Sequence, residues 1–197
     1  LMRTAGIVLA GGLSSRFGSP KAFAEWEGVP YFKYTLQAMA PFCEACLIVT
    51  RPELVPQFPE GIKIVTDQEE IAGQGPVAGI LSGMESIKAD HYVVLPCDMP
   101  FMEPGVIGEL LKRHQSGVTA VVLDGKKHPL VSVWDASAKA ELRQALESGR
   151  RRVMEVQEKI GVQWVDGCSL TSNPAKVFEN MNTPGVLERR ESDGGDR

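Results

Sequence analysis

Apolar positions along this chain gather into short continuous runs separated by amphipathic stretches. The runs Ala5–Ala10, Cys46–Thr50, Ile62–Thr66, Tyr92–Leu95, Val118–Leu123, Leu130–Trp134 and Val162–Val165 have the length and bounding residues of buried strands. Helical spacing occupies the intervals at Tyr31–Met39, Val77–Ile87, Pro104–Gln115, Ala136–Glu147 and Arg152–Ile160. The Pro104 segment puts Ile107, Leu110 and Leu111 on one face and Lys112 and Arg113 in its last turn. Proline at its first position suits a helix start, where the missing N–H costs nothing. Strand alternating with helix predicts an α/β fold. The expectation is a single-domain, Rossmann-like three-layer sandwich around a mostly parallel sheet, spanning residues 1–190. The polar, glycine-rich segment 191–197, ESDGGDR, is expected to be a disordered tail.

Composition narrows the function classes. Hydrophobic residues make up 43% and charged residues 23%, which suits a globular chain with a real core. The net charge of −4 gives no global attraction for nucleic acid or an anionic membrane, so neither is an expected partner. A polyanionic substrate must then be held by local positive charge. The apolar start Ile7–Leu9 is short and leads directly into a polar loop, so no secretory leader is expected and the expected location is cytoplasmic. Cys43 and Cys46 have C-x-x-C spacing but lack a second pair, and Cys97 and Cys168 stand apart, so free thiols are expected. His91, His114 and His128 are widely scattered and form no metal-binding signature in sequence.

The candidate chemistry begins where the first strand ends. Leu9 to Lys21 reads LAGGLSSRFGSPK. Gly11 and Gly12 allow a sharp turn and close backbone approach to a ligand. Successive N–H groups in such a turn make an anion site, to which Ser14 adds a hydroxyl and Arg16 and Lys21 add charge. The loop fits neither a Walker A motif nor a G-x-G-x-x-G fingerprint. An ordinary surface turn is the competing reading.

Asp98 ends the apolar run that starts at Tyr92, within PCDMP. If that strand neighbours the first, its carboxylate meets the glycine loop. A carboxylate beside a triphosphate requires a cation between them, and Mg²⁺ is the expected one. The alternative is a turn-capping aspartate. Asp67 ends Ile62–Thr66 in the same way and precedes the turn Gly73-Gln74-Gly75-Pro76-Val77-Ala78-Gly79. That turn opens a helix, whose free N–H groups suit polar ligands. Close packing would equally account for Gly79 and Gly83. Further on, Val177–Pro184 reads as a strand entering a loop, with Asn180 and Asn182 on the same side of an extended chain, or as turn residues. Arg150, Arg151 and Arg152 suit a solvated helix start, and Trp26, Trp134 and Trp164 suit packing.

Taken in order, LAGGLSSRFGSPK, Asp67, GPVAG, PCDMP, HPLVSVW (His128–Trp134) and NMNTP resemble the molybdenum cofactor guanylyltransferase family, from Ala5 to Pro184. The resemblance implies a nucleotidyltransferase of the glycosyltransferase-A-like fold that joins GTP and molybdenum-loaded molybdopterin and releases pyrophosphate. It implies that Leu9, Ala10, Gly11 and Gly12 hold the guanine and nucleotide backbone, with Ser14 among the nucleotide-binding residues. Arg16 and Lys21 would grip the triphosphate, and Asp98 would bind Mg²⁺. Asp67, Gly75 and Gly79 would seat the nucleoside, and Asn180 and Asn182 would lie toward the pterin. A molybdenum-insertion protein and molybdoenzyme or chaperone partners are the implied protein contacts. Phe17, Ser132 and Gly185 depart from the family pattern without touching Arg16, Lys21 or Asp98. The rival readings are a CTP- or sugar-phosphate-using relative and a nucleotide-binding carrier without turnover.

Overall fold

The computed structural model describes residues 1–11 and 20–181. Its strands are β1 (Thr4–Leu9), β2 (Glu25–Trp26), β3 (Val29–Pro30), β4 (Ala45–Val49), β5 (Lys63–Val65), β6 (His91–Pro96), β7 (Val118–Leu123), β8 (Lys126–Asp135) and β9 (Val162–Asp166). Its α-helices are α1 (Tyr31–Met39), α2 (Gly75–Ser86), α3 (Pro104–Arg113), α4 (Ala138–Glu147), α5 (Val153–Ile160) and α6 (Pro174–Val177). A seven-stranded sheet runs in the order β5-β4-β1-β6-β8-β7-β9, and β2 pairs with β3 apart from it. The first four strands in that order are mutually parallel. β8 runs antiparallel to β6 and β7, while β9 is parallel to β7. The mostly parallel α/β expectation therefore holds.

The sheet separates two cores because successive side chains point to opposite faces. On β1, Ile7 enters one core and Val8 the other; on β6, Tyr92 and Val94 part from Val93 and Leu95 in the same way. One core takes Phe32 and Met39 of α1, Ile107 and Leu110 of α3, and Val177 of α6. The other takes Ile80 and Leu81 of α2, Leu142 of α4 and Val156 of α5. α2 comes close to β1 through its glycines. A Cβ on Gly79 would sit 3.1 Å from Leu9 Cδ2, and one on Gly83 2.9 Å from Ile7 Cδ1.

The order of the strands fixes where a ligand can bind. From β1 the chain steps outward through β4 to β5, then returns to the other side of β1 as β6. The connections thus leave β1 and β6 in opposite directions. A crevice forms at the carboxyl ends of such strands in open α/β sheets.

Several local elements differ from the sequence expectation. Glu25–Trp26 and Val29–Pro30 form a small hairpin whose turn residues Glu27 and Gly28 both have positive φ, at 49° and 75°. β8 begins at Lys126, four residues before the expected Leu130. Pro129 falls in the irregular register between β7 and β8, where its missing N–H breaks no regular ladder. The expected strand from Val177 is corrected: Val177 ends the short helix α6, which Pro174 opens, and the chain continues irregularly to Met181. Asn182 and the tail 191–197 lie outside the described residues.

Candidate functional site

β1 and β6 end side by side, with Leu9 opposite Pro96. Cys97 donates its N–H to the Leu9 carbonyl at 3.1 Å, so the register persists past the last paired residues. Gly11 and Asp98 therefore each follow, by two residues, the ends of neighbouring strands at the crevice. On the other flank, Ala10 N donates to Val49 O at 2.8 Å and Thr50 Oγ1 donates to Ala10 O at 3.1 Å. Leu9 and Ala10 are thus tied on both sides, and the chain is fixed up to Gly11.

Lys21 starts a 3₁₀ turn, Lys21–Phe23, where the chain comes back to the crevice. Its Nζ lies 3.4 Å from Asp98 Oδ2, a long ion pair with side chains 24% and 13% exposed. The second carboxylate oxygen, Asp98 Oδ1, is buried with no hydrogen-bond partner among the described residues. A buried anionic oxygen beside a lysine suits a hard divalent cation, which takes carboxylate together with phosphate oxygen. Asp98 is therefore the described residue best placed to hold a metal here. Met181 donates its N–H to the Asp98 carbonyl at 2.9 Å, which brings the half-buried Asn180 to the edge of the crevice.

Asp67 and Gly75 flank the same sheet edge from the β5 side. Ser82 of α2 donates to Asp67 Oδ1 at 3.2 Å. Burial raises the Asp67 pKa, opposed by the hydrogen bonds from Ser82 and the Gly73 backbone. Three strand spacings separate β5 from β6, about 14 Å, so Asp67 and Asp98 stand well apart along the carboxyl edge of the sheet. Gly75 is exposed at the start of α2 with φ of 76°, a conformation that favours glycine. Gly79 is buried under Leu9, and its missing side chain serves the packing of α2 on β1. Gly12, Ser14, Arg16 and Asn182 lie outside the described residues.

Two residues beyond the sequence candidates join this region. Arg51 follows β4, and its Cγ lies 4.0 Å from where a Gly11 Cβ would be. Its guanidinium pairs with Glu53 at 2.6 Å, while its Nε is buried without a hydrogen-bond partner among the described residues. A lone cation just after an apolar strand was the only sequence signal for it. Tyr31, at the start of α1, has a buried hydroxyl that is also unpartnered among the described residues. Burial, with the negative charge of Asp98 added, pushes its pKa up to about 12, so the phenol stays a neutral donor. Burial and then Asp98 likewise push the Cys97 thiol up to about 12, which keeps it inert.

Other sequence candidates have structural duties. Trp134 is fully buried and donates Nε1–H to Ser132 Oγ at 2.8 Å. Arg150 pairs with Glu141 at 3.4 Å, and Arg152 is 84% exposed beside Glu155. Among the described residues, no helix is long and apolar enough to cross a membrane.

Comparison with known proteins agrees with this fold. The MobA-like NTP transferase domain family matches residues 6–161. A probable molybdenum cofactor guanylyltransferase of Bacillus cereus is 34% identical over 188 residues, covering 93% of each chain. One from Bacillus anthracis is 33% identical over 187 residues, again covering 93% of each. Among solved structures, the molybdopterin-guanine dinucleotide biosynthesis protein A of Archaeoglobus fulgidus superposes with a TM-score of 0.79 and 25% identity, covering 96% of this chain and 98% of its own. The 2-C-methyl-D-erythritol 4-phosphate cytidylyltransferase of Thermus thermophilus shares the fold at a TM-score of 0.70 and 17% identity, covering 95% of this chain and 97% of its own.

Proposed function

The chain belongs to the MobA-like NTP transferase family of nucleotidyltransferase enzymes, and on that footing we propose that it transfers GMP from GTP to molybdenum-loaded molybdopterin, releasing pyrophosphate. The product is the molybdopterin guanine dinucleotide cofactor. The observation that carries this reading is the ion pair of Lys21 with Asp98 beyond the neighbouring ends of β1 and β6, with Gly11 two residues past the end of β1. The guanylyltransferase names of the Bacillus relatives supply the base and the acceptor.

In the proposed reaction a terminal phosphate oxygen of molybdopterin attacks the α-phosphorus of GTP. A P–O bond forms there, the α–β P–O bond breaks, and pyrophosphate leaves with the electron pair. The attacking phosphate is already ionised at neutral pH, so no general base is needed. Negative charge grows on the α-phosphoryl oxygens and the leaving group, and positive charge fixed beforehand stabilises it. Lys21 supplies one such charge, and Arg16 is assigned a second. Asp98 is the proposed ligand of Mg²⁺, which when bound supplies further neutralisation of phosphate charge. Leu9, Ala10, Gly11, Gly12 and Ser14 are assigned to the base and nucleotide backbone. Asp67, Gly75 and Gly79 are assigned to the nucleoside side, the last through its packing. Asn180 and Asn182 are assigned to the pterin side. We place this activity in one domain over residues 1–190 and in the cytoplasm. The cofactor would pass between a molybdenum-insertion protein and molybdoenzyme or chaperone partners.

The test is steady-state pyrophosphate release by purified variants. Lys21→Ala and Asp98→Ala should each lose about 10²-fold or more in kcat, as removal of a charge-stabilising group does. Near-normal turnover in both variants would overturn the assignment.

A further inference from the structure

Folding brings two of the scattered histidines together at the end of the sheet opposite Asp98. His91 opens β6 and stands in register with Asp135, which closes the antiparallel β8. His114 caps the carboxyl end of α3. One ligand atom from each of these three residues lies within 4.8 Å of the others. Asp135 Oδ1 is 2.7 Å from His114 Nε2 and 3.3 Å from His91 Nε2. The site is roughly 20 Å from the nucleotide edge, since seven residues of extended chain separate His91 from Asp98.

The outer atoms of the cluster are already held. His114 Nδ1 lies 2.8 Å from Thr119 Oγ1, and Asp135 Oδ2 accepts the Gly117 N–H at 2.7 Å. Partners on the far side of imidazole and carboxylate are what orient metal ligands and fix the imidazole tautomer. The 2.7 Å contact of His114 Nε2 with Asp135 Oδ1 is of hydrogen-bond length, and the Thr119 hydroxyl can donate to or accept from Nδ1. A metal binding here takes the place of the proton between Nε2 and the carboxylate, while Thr119 keeps the ring oriented. The His114 side chain is 1% exposed, whereas those of His91 and Asp135 are 19% and 22% exposed. The cluster is thus walled on one side and open to water on the other.

We propose that His91, His114 and Asp135 form a transition-metal site of the zinc class, with water completing a tetrahedron. Two imidazole nitrogens and one carboxylate oxygen suit zinc and its neighbours rather than magnesium. Zinc–ligand bonds of about 2.0–2.1 Å set ligand atoms about 3.3 Å apart. The His91–Asp135 spacing already meets this, and the His114–Asp135 contact opens slightly on binding. The ion would clasp the end of α3 to the β6–β8 pair, and it would stabilise the native chain by binding it selectively.

The experiment is calorimetric titration of untagged, metal-stripped protein with Zn²⁺ alone, together with Co²⁺ absorption and thermal melting. One zinc per chain, a tetrahedral Co²⁺ spectrum and a raised Tm are expected. His91→Ala, at the more exposed position, should melt normally without metal yet bind zinc about 100-fold or more weakly, a larger loss than outer partners usually cause. Asp98→Asn and Cys43→Ser/Cys46→Ser should bind zinc like the parent chain, which separates this site from the proposed catalytic one and from the thiols. Absence of zinc binding in the parent chain, undiminished binding in His91→Ala, or loss of binding in the cysteine variant would overturn the proposal.

Discussion

At Asp67 the protein holds a carboxylate that burial disfavours in its charged form, with Ser82 and the Gly73 backbone, among the described residues, offsetting part of the cost. Its folded pKa is raised above the ordinary 3.8. Its contribution to stability is therefore fully present below the unfolded value and is lost as pH rises through the folded one. At neutral pH the charged group costs stability. Asp67→Asn keeps an acceptor for Ser82 and removes that charge. Its Tm at neutral pH should equal or exceed that of the parent chain, the difference shrinking as pH falls toward 3.8, while pyrophosphate release falls. A variant of lower neutral Tm with full turnover would contradict both halves. His128 has the opposite sign. Burial, then the charge of Lys126, lowers its pKa from 6.5, so its contribution is present above the unfolded value and lost as pH falls through the folded one. Its ring packs on Phe178, 5.9 Å between centroids, next to the segment carrying Asn180. Melting curves should lose Tm between about pH 7 and pH 5, and His128→Leu should flatten that loss. An unchanged slope in the variant would assign the acid sensitivity to other groups.

Among the elements, α2 shows what its glycines do. Ile7 is fully buried, so the 2.9 Å approach of its side chain leaves no room for a methyl group on Gly83. Gly83→Ala should destabilise the chain by about 1–3 kcal/mol, the usual range for overpacking. Gly105 in α3 has open space around its missing Cβ, so Gly105→Ala should be neutral or stabilising by up to about 1 kcal/mol. Urea denaturation of both variants checks the pair, and equal effects would refute the packing argument. Elements of this kind were legible in advance where one pattern dominated. α1 keeps its expected bounds, Tyr31–Met39, and β1 and β6 follow their apolar runs within a residue or two. The β2–β3 hairpin was not legible, because Glu27 occupies a positive-φ turn position that asparagine or aspartate usually marks. The strand expected from Val177 failed because Pro174 starts a helical turn that carries Val177 into the core.

For the whole molecule, strand order decides which distant residues meet, and periodicity does not encode it. Asp98 and the glycine segment were legible separately, and whether the strands preceding them lie side by side was decided by the sheet order. Arg51 and Tyr31 carry no motif and reach the site only through the position of β4 and α1. The His91–His114–Asp135 cluster was hidden for the same reason, since 44 positions of sequence are folded back by the antiparallel β8. Both sheet ends thus gather chemistry that sequence spacing scatters. The central claim is that the crevice between β1 and β6 transfers GMP in particular. It is tested most directly by measuring pyrophosphate release with Mg²⁺ and molybdenum-loaded molybdopterin, comparing GTP, CTP, ATP and UTP. Release with GTP alone, abolished by Asp98→Ala, is the predicted result. A preference for CTP, or GTP binding without release from any nucleotide, would contradict it.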